Sequence, residues 1–232
     1  EAMLLRAFLD RQKNSPTSVW VACGYWLALG VGLMLKGPVV LIPGFCTPLA
    51  LWAVERAREW WSRLRPRWGW LLMLAVVVPW CVAIDVVSHG DFFSRAIGRN
   101  FLGKVAHGQE AHGLPPGFHL IVFALAFWPG SFFAALAIPS VWKNRKLPQV
   151  RFLLSWIIPH WLVFELIATK LPHYVLPTYP AIAILTAAAL TIWGRPALSK
   201  WSKIALGFYG VIWAAVGLAF CFAGTVVLFK MQ

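Results

Sequence analysis

Acidic residues are scarce in this sequence: eight Asp and Glu stand among 232 residues, against 21 Lys and Arg, for a formal net charge of +13. Charged residues of both signs make up only 12% of the chain, and no internal repeat or low-complexity tract stands out. No repeat architecture is therefore expected. Cysteine is sparse too. Cys23, Cys46, Cys81 and Cys221 all lie inside apolar segments, where they act as small apolar residues, and no disulfide framework follows. No signal peptide is expected, because residue 1 is Glu and the first apolar run follows a charged, polar stretch of 18 residues without a short apolar region and cleavage site. The expectation is a chain cut from something longer.

What is present is apolar sequence. The chain is 60% hydrophobic and 15% aromatic, with a mean hydropathy of +0.70, more than one soluble core needs. Seven segments reach spanning or near-spanning length: 19–36, 38–54, 69–88, 115–140, 152–168, 175–193 and 204–229. A helix needs about 20 residues to cross, and an open sheet cannot satisfy its backbone in lipid. The fold class is thus all-α: a polytopic helical membrane protein with about seven transmembrane helices, forming one transmembrane domain over 1–232.

The basic residues sort by side. Residues 1–18, 55–68, 141–151 and 194–203 hold three, five, four and three Lys or Arg, leaving Lys36, Arg95, Arg99, Lys104, Lys170 and Lys230. The positive-inside rule puts the larger group in the cytoplasm. The net charge is then a topology signal with attraction for anionic lipid, and nucleic acid is not an expected partner.

The outer side collects the unusual chemistry. Its longest connection, 89–114, places Phe92, Phe93, Ile97, Phe101, Leu102 and Val105 near helical spacing among Arg95, Arg99 and Lys104. It reads as an interfacial amphipathic helix, with a solvated connector as the alternative. Lys36-Gly37-Pro38 joins two spans with almost no loop, so Lys36 sits at the outer boundary, where it either snorkels or binds. Five of six histidines map to this side or its boundary: His89, His107, His112, His119 and His173. Together with Asp91 and Glu110 some of these could compose a divalent-metal site, since imidazole with carboxylate suits zinc or manganese, but H-x-x-x-x-H around Glu110 is not a tight ligand spacing. Asp85 and Glu165 lie deepest among the acids, each near the outer end of its span. For them a hydrogen bond to a neighbouring helix, or to Lys170, is expected. His160 reads as a helix–helix hydrogen bond, and the fifteen tryptophans as interfacial belts and packing.

One stretch breaks the apolar pattern: ATKLPHYVLPTYPA, residues 168–181. Pro172, Pro177 and Pro180 keep 169–176 from a regular helix, and irregular backbone at membrane depth is tolerated where protein or a water-filled cavity covers it. Lys170 and the Tyr174 hydroxyl are then either donors facing an anion or an outer snorkel and a belt tyrosine.

Lys170-Leu171-Pro172-His173-Tyr174-Val175-Leu176-Pro177 resembles the K-L-P-x-Y-x-L-P signature of bacterial lipid-dependent glycosyltransferases of family 39. These are GT-C membrane enzymes that include aminoarabinose and protein O-mannosyl transferases. Other elements agree in order over roughly residues 19–193. Leu35-Lys36-Gly37-Pro38 is similar to the family's K-G-P hairpin, and Asp91-Phe92-Phe93 leading to Lys104 to its outer helix. His112, Pro115 and Phe118 are similar to its entry to the next span, and Trp128-Pro129-Gly130 to its Pro-Trp break.

The resemblance implies a transferase that takes a sugar from a polyprenyl-phosphate carrier at the periplasmic face of the bacterial inner membrane. The acceptor would be of lipid A, lipopolysaccharide or protein type. Lys36, Lys104 and Tyr174 match positions that surround the carrier phosphate, and Lys170 belongs to the same motif. Asp91, Glu110, His112 and His173 are candidate sugar or acceptor contacts. No cofactor is called for. Lys104 stands where relatives tend to carry Arg, and Asn100-Phe101 where the aminoarabinose enzymes carry Glu-His. The family's catalytic carboxylate lies in a first outer loop with no counterpart here, so the chain is expected to be a C-terminal portion that is inactive alone. A transporter or flippase for a lipid-linked or anionic substrate is the alternative, since broken helices and buried charges would look similar.

Overall fold

The computed structural model describes residues 1–56, 59–93, 115–167, 170–193 and 200–230. Their regular elements are all helical. Helix α1 (Ala2–Gln12) is followed by α2 (Val19–Lys36), which reverses through a 3-10 turn, Gly37–Val40, into α3 (Leu41–Glu55). A short α4 (Glu59–Arg63) leads to α5 (Pro66–Ser88) and one turn, α6 (Asp91–Phe93). Beyond residue 114 come α7 (Phe118–Ala126), α8 (Gly130–Lys143) and α9 (Pro148–Leu166). A 3-10 helix, Pro172–Thr178, then enters α10 (Tyr179–Thr191), and α11 (Lys200–Lys230) closes the described chain.

The α2–α3 reversal needs Gly37, whose φ of 70° with ψ of −161° lies in a region that side chains avoid. Behind it the start of α3 turns back onto α2. The Tyr25 hydroxyl donates to the Gly44 carbonyl at 2.6 Å, and a Cβ at Gly44 would come within 2.4 Å of the Leu29 side chain. Helix α5 lies on the other side of α2. A Cβ at Gly69 would fall 1.9 Å from the Trp26 indole nitrogen, which donates to the Leu64 carbonyl at 2.8 Å. Where lipid tails are as apolar as leucine, such close approaches hold helices together by dispersion and hydrogen bonding.

Among the described residues four stretches can cross a membrane by length and hydropathy: Val19–Glu55, Pro66–Ser88, Pro172–Thr191 and Lys200–Ala223. A fifth is added if α7 and α8, bent by 117° at Phe127–Pro129, count as one span. The all-helical membrane class is the expected one, while the number is smaller than seven for physical reasons. Two apolar segments merge into Val19–Glu55, although Gly37 folds them back as a hairpin. The segment 115–140 is broken into α7 and α8. Helix α9 carries Gln149, Arg151, His160 and Glu165 among its apolar residues and does not qualify.

Helix α9 is nonetheless central. It packs along α3, α10 and the 3-10 helix, and Val150, Phe152, Leu153, Ser155, His160 and Phe164 are all buried. Two apolar clusters stack along it. One joins Leu4 and Phe8 of α1 to Trp26, Leu51, Phe152 and Leu185. The other joins Phe164, Val175 and Tyr179 to Val39, Ile42 and Tyr174. The first cluster lies toward the end where Arg11, Glu55 and Arg151 meet, called here the basic end. The second lies toward the end that carries the Lys36 hairpin and the K-L-P-H-Y segment.

Helix α1 departs from expectation, since residues 1–18 read as a charged, polar stretch. Leu4, Ala7 and Phe8 are fully buried, with the Phe8 and Phe152 rings 5.6 Å apart. Their i, i+3, i+4 spacing makes one buried apolar face on a helix that also carries Arg6, Asp10 and Arg11.

Candidate functional site

The end opposite the basic one is built where helices stop. Helix α9 ends at Leu166, and the prolines at 172 and 177 leave the next segment a 3-10 helix rather than an α-helix. Each break frees backbone groups that lipid cannot satisfy. Side chains satisfy them here. The Glu165 carboxylate accepts from the backbone N–H groups of Gly117 and His119, both at 3.1 Å, and so caps the start of α7. The Lys170 ammonium donates to the carbonyls of Glu165, at 2.5 Å, and Ile167, at 3.2 Å. It also lies 3.9 Å from a Glu165 carboxylate oxygen. A cation at a helix C-terminus meets the negative end of the helix dipole.

Two buried histidines complete the frame. His119, fully buried, directs Nε2 to the Leu171 carbonyl at 3.2 Å. A carbonyl only accepts, so Nε2 carries the proton. Its Nδ1 stands 3.5 Å from Glu165 without hydrogen-bond alignment. His160 donates from Nε2 to the Tyr174 carbonyl at 3.0 Å, and its Nδ1 has no hydrogen-bond partner. The Phe164 ring fills the space between them, 5.0 Å from His160 and 4.7 Å from Tyr174. The backbone of Tyr174 is thereby held from behind while its side chain remains half-buried.

The residues singled out from the sequence divide accordingly. Lys170 is 4% exposed and turned into the bundle toward Glu165. Tyr174 and the exposed His173 share one segment, their rings 5.1 Å apart. Lys36, the last residue of α2, is exposed, and Val39 and Ile42 just beyond it pack in the cluster that contains Tyr174 and Val175. The hairpin tip and the K-L-P-H-Y segment are thus brought to one end. Asp91 opens α6 and is exposed; that helix packs on α5. Lys104, Glu110 and His112, with most of the expected interfacial helix, lie outside the described residues.

Glu165 has the expected role, a hydrogen bond to a neighbouring helix plus a pairing with Lys170. His160 makes the expected hydrogen bond between segments. His119 was grouped with the outer polar residues, but it is buried and structural; the apolar residues on both sides of it, Phe118 and Leu120 to Phe123, were the signal. Among the described residues no group of three or more His, Cys, Asp or Glu could hold a metal ion. His107, Glu110 and His112 lie outside that statement.

A bundle of apolar helices broken near one end, with polar side chains satisfying the breaks, fits the GT-C membrane fold that the sequence resemblance implies. The comparisons agree. The fold matches ArnT from Cupriavidus metallidurans in its apo state, with a TM-score of 0.66 and 24% identity over 87% of this chain and 36% of that one. It also matches the same protein bound to undecaprenyl phosphate, with a TM-score of 0.70 and 23% identity over 94% of this chain and 38% of that one. No family model matches the chain.

In sequence the chain is homologous to undecaprenyl phosphate-alpha-4-amino-4-deoxy-L-arabinose arabinosyl transferases. It is 29% identical to that of Pseudomonas paraeruginosa over 178 residues, 74% of this chain and 30% of the relative. With that of Pectobacterium atrosepticum it shares 29% identity over 236 aligned residues, 94% of this chain and 39% of the relative. The chain therefore spans about a third of the length of these relatives. The family resemblance carried by the K-L-P-H-Y segment is borne out.

Proposed function

We infer that this chain is the C-terminal transmembrane portion of a glycosyltransferase of the bacterial inner membrane. It would move a sugar from an undecaprenyl-phosphate-type carrier to a lipid A, lipopolysaccharide or protein acceptor at the periplasmic face. Its share of the site is the carrier phosphate: Lys36, Lys104 and the Tyr174 hydroxyl donate to the phosphate oxygens. Lys170 acts behind them, keeping the segment that carries Tyr174 in place through Glu165. Asp91, Glu110, His112 and His173 are left for sugar or acceptor.

The chemistry fits the donor set. In the transfer the bond between the sugar anomeric carbon and the phosphate oxygen breaks, an acceptor oxygen bonds to that carbon, and negative charge develops on the departing lipid phosphate. Preorganised cations and hydroxyls stabilise that charge where water is excluded. The proton of the acceptor hydroxyl goes to a carboxylate outside these 232 residues.

The single observation that carries the proposal is that a K-L-P-H-Y segment broken out of α-helix, held by partly buried Glu165 and by buried His119 and His160, packs in one cluster with the residues that follow Lys36. The test is binding to the protein in nanodiscs of undecaprenyl phosphate against undecaprenol, which lacks only the phosphate. The phosphate form is expected to bind at least ~10-fold more tightly, since one hydrogen bond to a charged group contributes about 1.5–3 kcal/mol. Lys36→Ala and Tyr174→Phe should each narrow that gap. Equal binding of alcohol and phosphate would remove the phosphate site and with it the assignment of Lys36 and Tyr174.

A further inference from the structure

A second polar feature lies at the other end of the molecule and plays no part in the carrier site. Between α3 and α9 runs a groove of about 650 Å³, lined along its length by Ala50, Val54, Leu154, Ser155, Ile158 and Leu162. Small residues, Ala50 and Ser155, make its floor. Val54, Ile158 and Leu162 are 57%, 48% and 56% exposed along it. At the basic end the groove stops against Arg145, Lys146 and Arg151.

We propose that this groove binds one anionic phospholipid of the leaflet at the basic end, with its phosphate on Lys146 and Arg145 and an acyl chain along α9. Length is the first argument. Eleven residues separate Arg151 from Leu162, about 16 Å of helix at ~1.5 Å per residue. That is half of a hydrocarbon core about 30 Å thick, the depth of one leaflet.

Charge complementarity is the second. Glu55, the acid nearest the rim, is already shared by Arg11 at 2.7 Å and Arg151 at 3.2 Å, so the rim stays positive. Arg151 also donates to the Lys146 carbonyl from Nε and Nη2, at 3.1 and 2.8 Å. This fixes the turn that carries the exposed Lys146. Arg145 directs Nη1 to the Trp142 carbonyl at 2.7 Å and lies 4.7 Å over the Trp142 ring. A guanidinium has five N–H donors, so others remain for a phosphate. Basic pockets between transmembrane helices recognise anionic headgroups in this way. A second copy in the same membrane would bring its own basic end to this rim, where like charges repel.

The test uses the complete protein in nanodiscs of phosphatidylcholine, with and without phosphatidylglycerol. Lipid retained after detergent exchange is counted by native mass spectrometry. One phosphatidylglycerol per protein should be retained, and retention should fall ~10-fold or more in the Arg145→Ala, Lys146→Ala double variant. Val54→Trp, which fills the groove and leaves the cations in place, should also release it. As a check independent of variants, amine acetylation of Lys146 should be several-fold slower than that of Lys143 in phosphatidylglycerol and comparable to it in phosphatidylcholine alone. Three results each overturn the proposal: equal retention of both lipids, full retention by the double variant, or a Lys146 shielded equally in both bilayers, which would mean that protein covers the groove.

Discussion

The two ends of the molecule each contain a carboxylate largely withdrawn from the surface, and the two do different work. At the basic end Glu55 joins cations: Arg11 and Arg151, on α1 and α9, meet its two oxygens across from α3. All three groups sit in the end turns of their helices, and the two carboxylate oxygens meet side chains. At the opposite end Glu165 joins backbone: its oxygens accept from Gly117 and His119, while its own carbonyl accepts from Lys170. Charge pairing that ties intact helices together is a replaceable addition. A carboxylate that stands in for missing helix hydrogen bonds is not, because at membrane depth water cannot take its place.

The largest effect should come from Glu165→Ala. It leaves an ammonium that is 4% exposed without its carboxylate and two backbone N–H groups without an acceptor. Removing one partner of a buried pair costs about 3–5 kcal/mol, read as a large drop in the thermal midpoint in detergent, with Lys170→Met in the same chain restoring part of it. Midpoints within a degree of each other would break the comparison. His160→Phe comes next. It keeps the ring against Phe164 but removes the His160 donor to the Tyr174 carbonyl, for about 1–3 kcal/mol and weaker undecaprenyl phosphate binding. His160→Asn should recover some of both.

Glu55→Gln should cost less, about 1 kcal/mol, because Arg11 and Arg151 are 24% and 34% exposed and water screens them. That cost should shrink as salt is raised, whereas the Glu165→Ala cost should not. Tyr174→Phe should have the smallest effect on stability, under ~0.5 kcal/mol, while losing carrier binding about 10-fold. A stability loss as large as that of His160→Phe would make the hydroxyl structural and remove it from the phosphate.

The same contrast explains what could be read in advance. The prolines at 172 and 177 announce the broken segment directly, because proline removes a donor wherever it stands. Glu165 and Lys170, five residues apart across that break, could be paired from sequence because both are charged and apolar residues surround them. His119 and Gly117 could not be assigned to Glu165, since 46 and 48 residues separate them and only the packing of α7 on the end of α9 brings them near. Helix α1 was obscured by its charges. Arg6, Asp10 and Arg11 interrupt its apolar residues, and the apolar face formed by Leu4, Ala7 and Phe8 spans little more than a turn. The bend within 115–140 was marked by Trp128-Pro129-Gly130, but its angle of 117° depends on packing.

The reversal at Gly37 also governs how the polypeptide enters its bilayer. Two apolar helices joined by a four-residue turn leave no loop long enough to wait in water on the far side, so α2 and α3 insert as a pair with Lys36 at the leading tip. Carrying one lysine past the bilayer centre costs about 2.5–3.5 kcal/mol on an insertion scale, which the apolar flanks on both sides offset. Once across, the same ammonium acts as a latch. The hairpin cannot back out without dragging its charge through the membrane again.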